Sequence, residues 1–390
     1  MTFKKIALSA AEIKKLRARA MNAIAPLKPA DEISRYGAGT TRTNAGRKLP
    51  DYYFVYFLLV DLLHFRFRGR GEKVAWTIPV DYDGHGALIE HRKMGLGVFS
   101  TDELAAEGIV RAVARGVKAA APFFDHLAAE AVHRSQLNVR NNSAWLFYRY
   151  QYLRDQFREK LASAEAREHE VIKIERKLPN GTEFSSYSWP GDEHRREAAW
   201  LATATIDAFF SWTEHVFVHL AILRTRVKTG EEVAELAAAD WSDKFKCAVG
   251  LDDSNIKSLF DELLVVRRQI RNFMAHGAFG KDGEAFEFHS GAGAVPVNLT
   301  DPEGRNRFSM WPGPSFDASR VIQAAESFIG SLWAGDLAPA QIYIEEAGLP
   351  SILTYANDGT YGAAMESVED MESFIDDLVH QMDDAHNMDW

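Results

Sequence analysis

The sequence predicts a mainly α-helical protein with two domains, the second a helical bundle with a small β-hairpin insertion. A chain of 390 residues can bury one large core or two ordinary ones. Helical periodicity fills most of the second half. A Pro/Gly-rich stretch from Pro179 to Gly191 is the clearest break. We therefore expect an N-terminal mixed, mostly helical domain at 1–190, the bundle at 191–335 and a helical, acidic tail at 336–390.

The composition narrows the class of protein. The chain has 24 Phe, 12 Tyr and 9 Trp, which makes disorder over most of its length implausible. A net charge of −10 argues against a uniformly basic surface, but a local basic groove is compatible with it. Cys247 is the single cysteine, so a disulfide within the chain and a cysteine zinc cage are both excluded.

The sequence also predicts where the protein works. The N-terminus carries Lys4 and Lys5 without a following apolar block of signal-peptide length. The apolar run from Tyr52 to Leu63 is interrupted by Asp61 and is too short to span a bilayer. We therefore expect a soluble cytoplasmic protein that does not associate with membranes.

The first half alternates helical and β-prone segments. Ser9 is a suitable N-cap for a helix over residues 9–25. Two β-prone runs flank the Gly-rich turn Asp83–Gly86 and predict a hairpin. The remaining predicted segments are a loop at 36–48 and helices at 51–65, 101–131 and 143–176. The role of this half is not indicated by its residues.

The second half opens with a long helix from Glu193 to about Lys228, ended by Thr229-Gly230. It is apolar over most of its circumference, which is typical of a central bundle helix or a subunit interface. Asp252 or Asp253 caps a later helix that runs to His276. The other predicted elements are helices at 231–238, 241–249 and 315–332 and a hairpin within 284–311.

The helix ending at His276 holds the most chemically capable side chains. At about 100° per residue, Arg267 and Arg271 fall on the same face as Phe260, Leu263, Leu264, Ile270 and Met274. A charge on an apolar face must be paired or must face a cavity. Arg268, Asn272 and His276 form a neighbouring line. The two lines predict a polar notch at the end of a core helix.

The long helix offers partners for these arginines. Asp207, Ser211 and Glu214 form one stripe, and either acid could hold Arg267 or Arg271 in place. The alternative is that this stripe faces water.

These groups suit metal-free cleavage of RNA. The reaction needs a base for the 2′-hydroxyl proton, cationic donors for the phosphate and an acid for the leaving oxygen. Histidine and arginine supply such groups. One histidine cannot make both proton transfers, and Arg271 and His276 lie roughly 140° apart on an ideal helix. The pair therefore converges only if the helix ends at His276 or if a second subunit completes the site.

The segment Arg271-Asn272-x-x-Ala275-His276-Gly277 resembles the Arg-x4-6-His signature of the HEPN superfamily. The resemblance covers about 193–335, including the long apolar helix and the Trp241–Phe245 segment. It implies a homodimeric, metal- and cofactor-independent endoribonuclease of prokaryotic antiviral defence or of a toxin–antitoxin system. RNA and an antitoxin or defence-system protein would be its partners.

The resemblance also implies roles for individual residues. Arg271 and His276 would be the catalytic pair, with Asn272 as a polar helper, and Asp207 or Glu214 would assist. Arg267 and Arg268 would support the phosphate. Ala278 stands where some toxin members have a tyrosine, so modification there is not expected. Two alternatives stay open: a non-catalytic module that binds RNA, a nucleotide or a protein, and a structural bundle with internal ion pairs.

Each of three further patterns has a structural and a functional interpretation. His215 and His219 have zinc-ligand spacing but no evident third ligand, so we interpret them as helix-edge residues. The acidic run from Glu366 to Asp384 is a solvated helix face, or else a nucleic-acid mimic or a site for a basic partner. A mixed basic and aromatic set could extend an RNA surface, or is a charged helix face: Arg140, Asn141, Asn142, Arg149, Tyr150 and Arg154.

Overall fold

The computed structural model describes residues 8–30, 39–179, 181, 183–276, 287–288, 297–298 and 317–388, with backbone alone for the described parts of 269–316. Of the described residues, 64% are helical and 14% lie in strands, so the prediction of a mainly α-helical protein is confirmed. Two compact units divide the chain, one of Met1–Leu137 with Ser373–Trp390 and one of Asn138–Glu372. This division lies elsewhere than the boundaries expected at 190 and 335.

The first unit begins as the sequence predicts. Helix α1 spans Ala10–Ile24, and its N-cap Ser9 forms a reciprocal capping box with Glu12. The apolar helix also forms, as α2 at Tyr52–Tyr56 followed by a π-helical turn at Phe57–Leu62. Within the predicted loop, residues 31–38 lie outside the described part and Ala45–Lys48 form a 3-10 turn.

An antiparallel sheet forms the other layer of this unit. The predicted hairpin is present as β3 (Val74–Tyr82) and β4 (His85–Arg92). Asp83 and Gly84 turn between them with φ of 51° and 84°, as a two-residue hairpin turn requires. The sequence did not predict the third long strand, β5 at Gly95–Ser100. Short strands β1 (Leu27–Pro29) and β2 (Thr41–Arg42) complete the order β1-β3-β4-β5-β2.

The predicted helix over 101–131 is two helices. α3 spans Glu103–Ala119, and α4 spans Ala121–His133. They separate at Ala120, where Pro122 in the first turn of α4 lacks the N–H that a continuous helix would use. Residues of α1, α2, α3 and the sheet form one apolar core, which includes Ile24, Val55, Ile78, Ile89, Val98 and Ile109.

The second unit corrects the expected helix at 143–176. After a short strand β6 (Asn138–Val139), helix α5 spans Ser143–Ala166 only. Residues Ile172–Lys177 form strand β7, which pairs with β8 at Glu183–Ser188. The β-branched Ile172 and Ile174 alternate with charged residues, and this period of two suits a strand.

Helix α6 is the long central helix, at Pro190–Leu223. Its Phe209, Trp212, Phe217 and Leu220 are fully buried. It starts earlier than predicted, with Pro190 at its first position, where a missing N–H costs nothing. Thr229 does not end this helix; it caps the next one through a capping box with Glu232. α5 packs along α6, which is why the two belong to one unit.

The later helices agree closely with prediction. α7 spans Gly230–Ala238, α8 spans Trp241–Ala248 and α9 spans Ser254–His276. Strands β9 (Glu287–Phe288) and β10 (Val297–Asn298) pair antiparallel in the predicted hairpin region. α10 then spans Ala318–Leu332, capped by Asp317.

The region 336–390, predicted to be a helical, acidic tail, contains several short elements before its long last helix. Short helices α11 (Ala338–Gln341), α12 (Leu353–Asn357) and α13 (Thr360–Ala364) and strand β11 (Ser351–Ile352) come first. A π-helical turn at Ile342–Glu346 follows α11. α14 at Val368–Asn387 carries most of the acidic run, whose carboxylates are exposed. This exposure agrees with a solvated helix face and is equally required by a nucleic-acid mimic or a site for a basic partner, so the alternatives stay open.

Candidate functional site

Glu214 is the centre of the candidate site, and α6 holds it in place. The neighbouring Phe210, Thr213 and Phe217 are buried in the unit, while the Glu214 side chain keeps 28% exposure. Glu214 is therefore a partly exposed polar residue on an otherwise apolar helix. Its carboxylate can contact cations from the neighbouring helices while its backbone is held by the packed helix α6.

Two cations share the Glu214 carboxylate. The Arg267 guanidinium of α9 donates to Oε1, and the Lys244 ammonium of α8 lies 2.7 Å from Oε2. The Lys244 side chain is only 6% exposed. Arg267 also lies over the ring of Phe210, 5.1 Å from its centroid, at a distance typical of a cation–π contact. The three charged groups together carry one net positive charge.

Aromatic packing fixes the helix that supplies Lys244. Trp241 is 1% exposed, and its Nε1 donates to Thr213 Oγ1 of α6 at 2.9 Å. Its ring stacks on Phe260 of α9, with centroids 5.8 Å apart and planes at 5°. Phe245 packs against the same two rings. This cluster joins α6, α8 and α9 directly beside Glu214, so the cations approach the carboxylate from fixed directions.

The structure brings together some of the predicted site residues. The pairing expected between the α6 stripe and an arginine of the later helix is present between Glu214 and Arg267. Asp207 takes a different partner, Arg149 of α5, at 3.7 Å. The Arg268 side chain is exposed. Of the two acids, only Glu214 therefore contacts the arginines described on α9.

The predicted catalytic residues follow on the same helix. Arg271, Asn272 and His276 belong to the helical backbone of α9, but their side chains lie outside the described residues. Arg271 is four residues beyond Arg267, about one helical turn further along the axis.

Lys244 is a site residue that the sequence analysis missed. It lies three residues after Trp241 and one before Phe245, both buried. A lysine at helical spacing between two buried aromatic residues must find an acid or a cavity. That pattern was present in the sequence and could have shown that Lys244 needs a partner, but not which acid supplies it.

Of the two histidines of α6, His215 is half-buried, but His219 is not a helix-edge residue, contrary to prediction. His219 is fully buried, and its Nδ1 lies 2.7 Å from Ser351 Oγ. Its Nε2 lies 3.1 Å from His215 Nε2, which also accepts from the backbone N–H of Asn142 at 2.8 Å. With both imidazoles neutral, the N–H of Asn142 on His215 Nε2 favours the tautomers in which His219 Nε2 donates to His215 and Ser351 Oγ donates to His219 Nδ1. Burial lowers the pKa of His215 and lowers that of His219 to about 3.

The predicted basic and aromatic set divides into two groups. Tyr150 is fully buried, and burial raises its pKa to about 12. The amide of Asn141 donates to the carbonyls of Ile344 and Leu349. Arg154 pairs with Asp155 and Glu326. These three have structural roles, whereas Arg140, Asn142 and Arg149 are exposed.

Two features were looked for among the described residues: a metal-binding group and a membrane-spanning helix. Among them, no group of three or more His, Cys, Asp or Glu side chains could hold a metal ion. None of the described helices combines the length and apolarity needed to cross a membrane.

Comparison of the chain with protein-family models, with curated proteins and with solved structures found no match.

Proposed function

We propose that the protein is a metal-independent endoribonuclease of the HEPN type. The 2′-hydroxyl of RNA would attack the adjacent phosphodiester, leaving a 2′,3′-cyclic phosphate and a free 5′-hydroxyl. The observation that carries the proposal is the Glu214–Arg267 contact, one turn before Arg271 on α9. A phosphate site needs arginines that are held in a fixed position. Here an acidic side chain of the long helix α6 contacts an arginine of α9, the helix that carries the motif.

Each residue has a role in this reaction. Arg271 binds the phosphate and stabilises the charge that develops on it, because its planar fork of donors matches phosphate oxygens. His276 transfers a proton as general base or acid, since imidazole titrates near neutral pH. Asn272 orients the phosphate or the imidazole. Arg267 and Arg268 add positive potential, and Glu214 with Lys244 fixes the position of Arg267.

A second subunit completes the proposed site. One histidine cannot both remove the 2′-hydroxyl proton and protonate the leaving oxygen. A homodimer with two α9 helices facing one groove supplies the second His276. The resemblance to HEPN proteins supports a context in antiviral defence or a toxin–antitoxin system, with an antitoxin or defence protein as a further partner.

A second candidate function is a non-catalytic module or a structural bundle. The observation that favours it is the same cluster, since Lys244 and Arg267 both find their counter-charge in Glu214. In that case the arginines stabilise the unit and take no part in chemistry.

Cleavage of RNA in EDTA distinguishes the two candidates. The wild-type protein, Arg271→Ala and His276→Ala would each be incubated with total RNA and with one labelled oligonucleotide. We expect each substitution to slow cleavage about 100-fold or more, the usual contribution of general acid–base groups. An oligonucleotide with 2′-deoxyribose at the cleaved position should stay intact, and mass spectrometry should find the cyclic phosphate.

Matched controls separate catalysis from folding. Arg195→Ala and His169→Ala remove the same side-chain types from exposed positions of the same unit and should cleave as the wild type does. Circular dichroism checks that every variant is folded. If the wild type leaves RNA as intact as His276→Ala does, the catalytic proposal fails. If Arg271→Ala also unfolds the protein, the structural candidate gains.

A further inference from the structure

An unusual group of exposed aromatic side chains lies on α5 and α6. Trp145, Tyr148 and Tyr152 of α5 are 68%, 69% and 65% exposed, and Trp200 of α6 is 66% exposed. Every residue of these two helices is described, and no other large hydrophobic side chain on them is exposed to this degree. The most exposed large hydrophobic side chains of the helix pair are therefore all aromatic.

The four rings lie on one side of the helix pair. At about 100° per residue, Trp145, Tyr148, Arg149 and Tyr152 fall within an arc of roughly 100° on α5. On α6, Trp200 and Asp207 are seven residues apart and differ by only about 20°. Arg149 lies 3.7 Å from Asp207, which joins the two arcs across the helix pair. We call this surface the aromatic face; it consists of Trp145, Tyr148, Arg149, Tyr152, Arg196, Trp200 and Asp207, and the exposed Asp207 carboxylate pairs with Arg149.

The chemistry of the aromatic face suits the bases and phosphates of a single strand. Each base has a π-face that stacks on an aromatic ring, while arginine binds the phosphate or stacks on a base. Arg149 is 42% exposed and Arg196 is also exposed, so both cations reach the solvent side of the face.

The aromatic face is continuous with the candidate site. Asp207 and Glu214 are again seven residues apart, so they share one line of α6, separated by about 10 Å along its axis. A strand lying on the face would therefore run along α6 towards Arg267. A duplex would not fit this chemistry, because its bases are already stacked on one another.

We propose that the aromatic face binds a single-stranded polynucleotide and leads it to the Arg267 end of α9. This inference rests on the proposed function, which it deepens by naming single-stranded RNA as the substrate class and α5 as part of the substrate path. Stacking supplies most of the attraction, so binding has little dependence on base sequence.

Fluorescence anisotropy of labelled 15-nucleotide oligo(U) tests the proposal. The His276→Ala background prevents cleavage, so binding is measured even if the protein is not a nuclease. We expect Trp145→Ala, Tyr148→Ala and Tyr152→Ala each to raise Kd about 5- to 100-fold, as removal of a stacking ring does. Tyr148→Phe and Tyr152→Phe keep the ring and should bind as the background protein does.

Phe184→Ala is the matched control, because it removes a 55% exposed ring from β8, outside the face, in the same unit. Its Kd should not change. Arg149→Gln should lower the slope of log K against log salt by about 0.7, the value for one phosphate contact to a single strand. Oligo(dT) should bind as well, since stacking does not require the 2′-hydroxyl, and duplex RNA should compete poorly.

Three results would overturn the inference. One is unchanged Kd in all three alanine variants, and another is equal competition by duplex RNA. The third is a lowered molecular mass of Trp145→Ala in sedimentation with RNA binding intact, which would make the face a contact between subunits.

If the face variants lose binding but the wild type cleaves no RNA, the inference holds and the nuclease proposal fails. If the wild type cleaves RNA but the face variants bind as the background protein does, the nuclease proposal holds and the inference about the aromatic face fails.

Discussion

The Glu214 carboxylate contacts the Arg267 guanidinium, although the two residues are 53 positions apart in the chain. The same carboxylate binds the buried ammonium of Lys244. One acid therefore pairs with cations from two other helices at the surface of the aromatic cluster around Trp241, and one net positive charge remains. This contact holds the Arg267 side chain against α6.

Replacing Glu214 should destabilise the second unit. Glu214→Gln removes the charge that compensates Lys244, whose side chain is 6% exposed, and Arg267, which is 27% exposed. Breaking a fully buried pair costs more than breaking an exposed one, so we expect a loss of about 1–3 kcal/mol for this half-buried cluster. Urea unfolding followed by circular dichroism measures the change.

Asp207→Asn is the control for that experiment. Asp207 is 61% exposed and lies 3.7 Å from Arg149, so its loss should change the free energy of unfolding by no more than about 0.5 kcal/mol. Lys244→Met combined with Glu214→Gln should be less destabilised than the sum of the single variants. Additive effects would show that Glu214 and Lys244 do not stabilise each other.

The bond between Trp241 and Thr213 should also contribute measurably. Thr213→Val keeps the side-chain shape but leaves the buried Trp241 Nε1 without the acceptor it now has at 2.9 Å. An unsatisfied buried donor costs about 1–3 kcal/mol. Thr205→Val is the matched change, because Thr205 is equally buried and its hydroxyl bonds only to the Leu201 carbonyl of the same helix. A cost for Thr213→Val no larger than that for Thr205→Val would contradict the assignment.

Sequence reasoning succeeded where the signal is local. The Ser9 cap, the Asp83-Gly84 turn and the boundaries of α8 and α9 depend on residues within a few positions of each other. The amphipathic pattern of α9 also indicated that Arg267 needed a partner. The choice of Glu214 rather than Asp207 as that partner depends on how three helices pack together. The periodicity of the sequence does not contain this information.

The errors have a common physical origin. Strand β7 lies in a charged stretch where helix and strand propensities are close, and its pairing with β8 decides the outcome. The sequence analysis places His219 at a helix edge, yet it is fully buried and its Nδ1 lies 2.7 Å from Ser351 Oγ of β11. In both cases a residue distant in the chain supplies the deciding contact.

A side chain at Gly116 should lower the stability of the first unit. A Cβ there would lie 2.5 Å from Ile24 Cγ2 and 2.7 Å from Leu58 Cδ2, where α3 packs against α1. Gly116→Ala should therefore cost about 1–3 kcal/mol through overpacking, despite the better helix propensity of alanine. Gly330→Ala on α10 meets nothing within 4 Å and should stabilise its unit by up to about 1 kcal/mol. Thermal unfolding of both variants tests the opposite signs, and a gain at Gly116 would refute the close packing.

Burial of His219 predicts a specific dependence of stability on pH. Its pKa is about 3 in the folded protein, against about 6.5 in an unfolded chain. The unfolded state therefore binds a proton below pH 6.5 that the folded state does not, and the free energy of unfolding falls as the pH is lowered. Between pH 7 and 5 this single group should remove about 2 kcal/mol of stability.

Urea unfolding of the wild type and of His219→Gln at both pH values isolates this effect. Glutamine can still accept from Ser351 and donate to His215 but does not titrate, so the variant should lose about 2 kcal/mol less than the wild type over this interval. His169→Gln removes an exposed histidine from the same unit and should retain the wild-type dependence. Because His215 is also buried and its pKa is also lowered, the variant should keep part of the acid sensitivity. Identical pH dependence in the wild type and His219→Gln would mean that His219 takes up its proton as readily in the folded protein as in the unfolded chain.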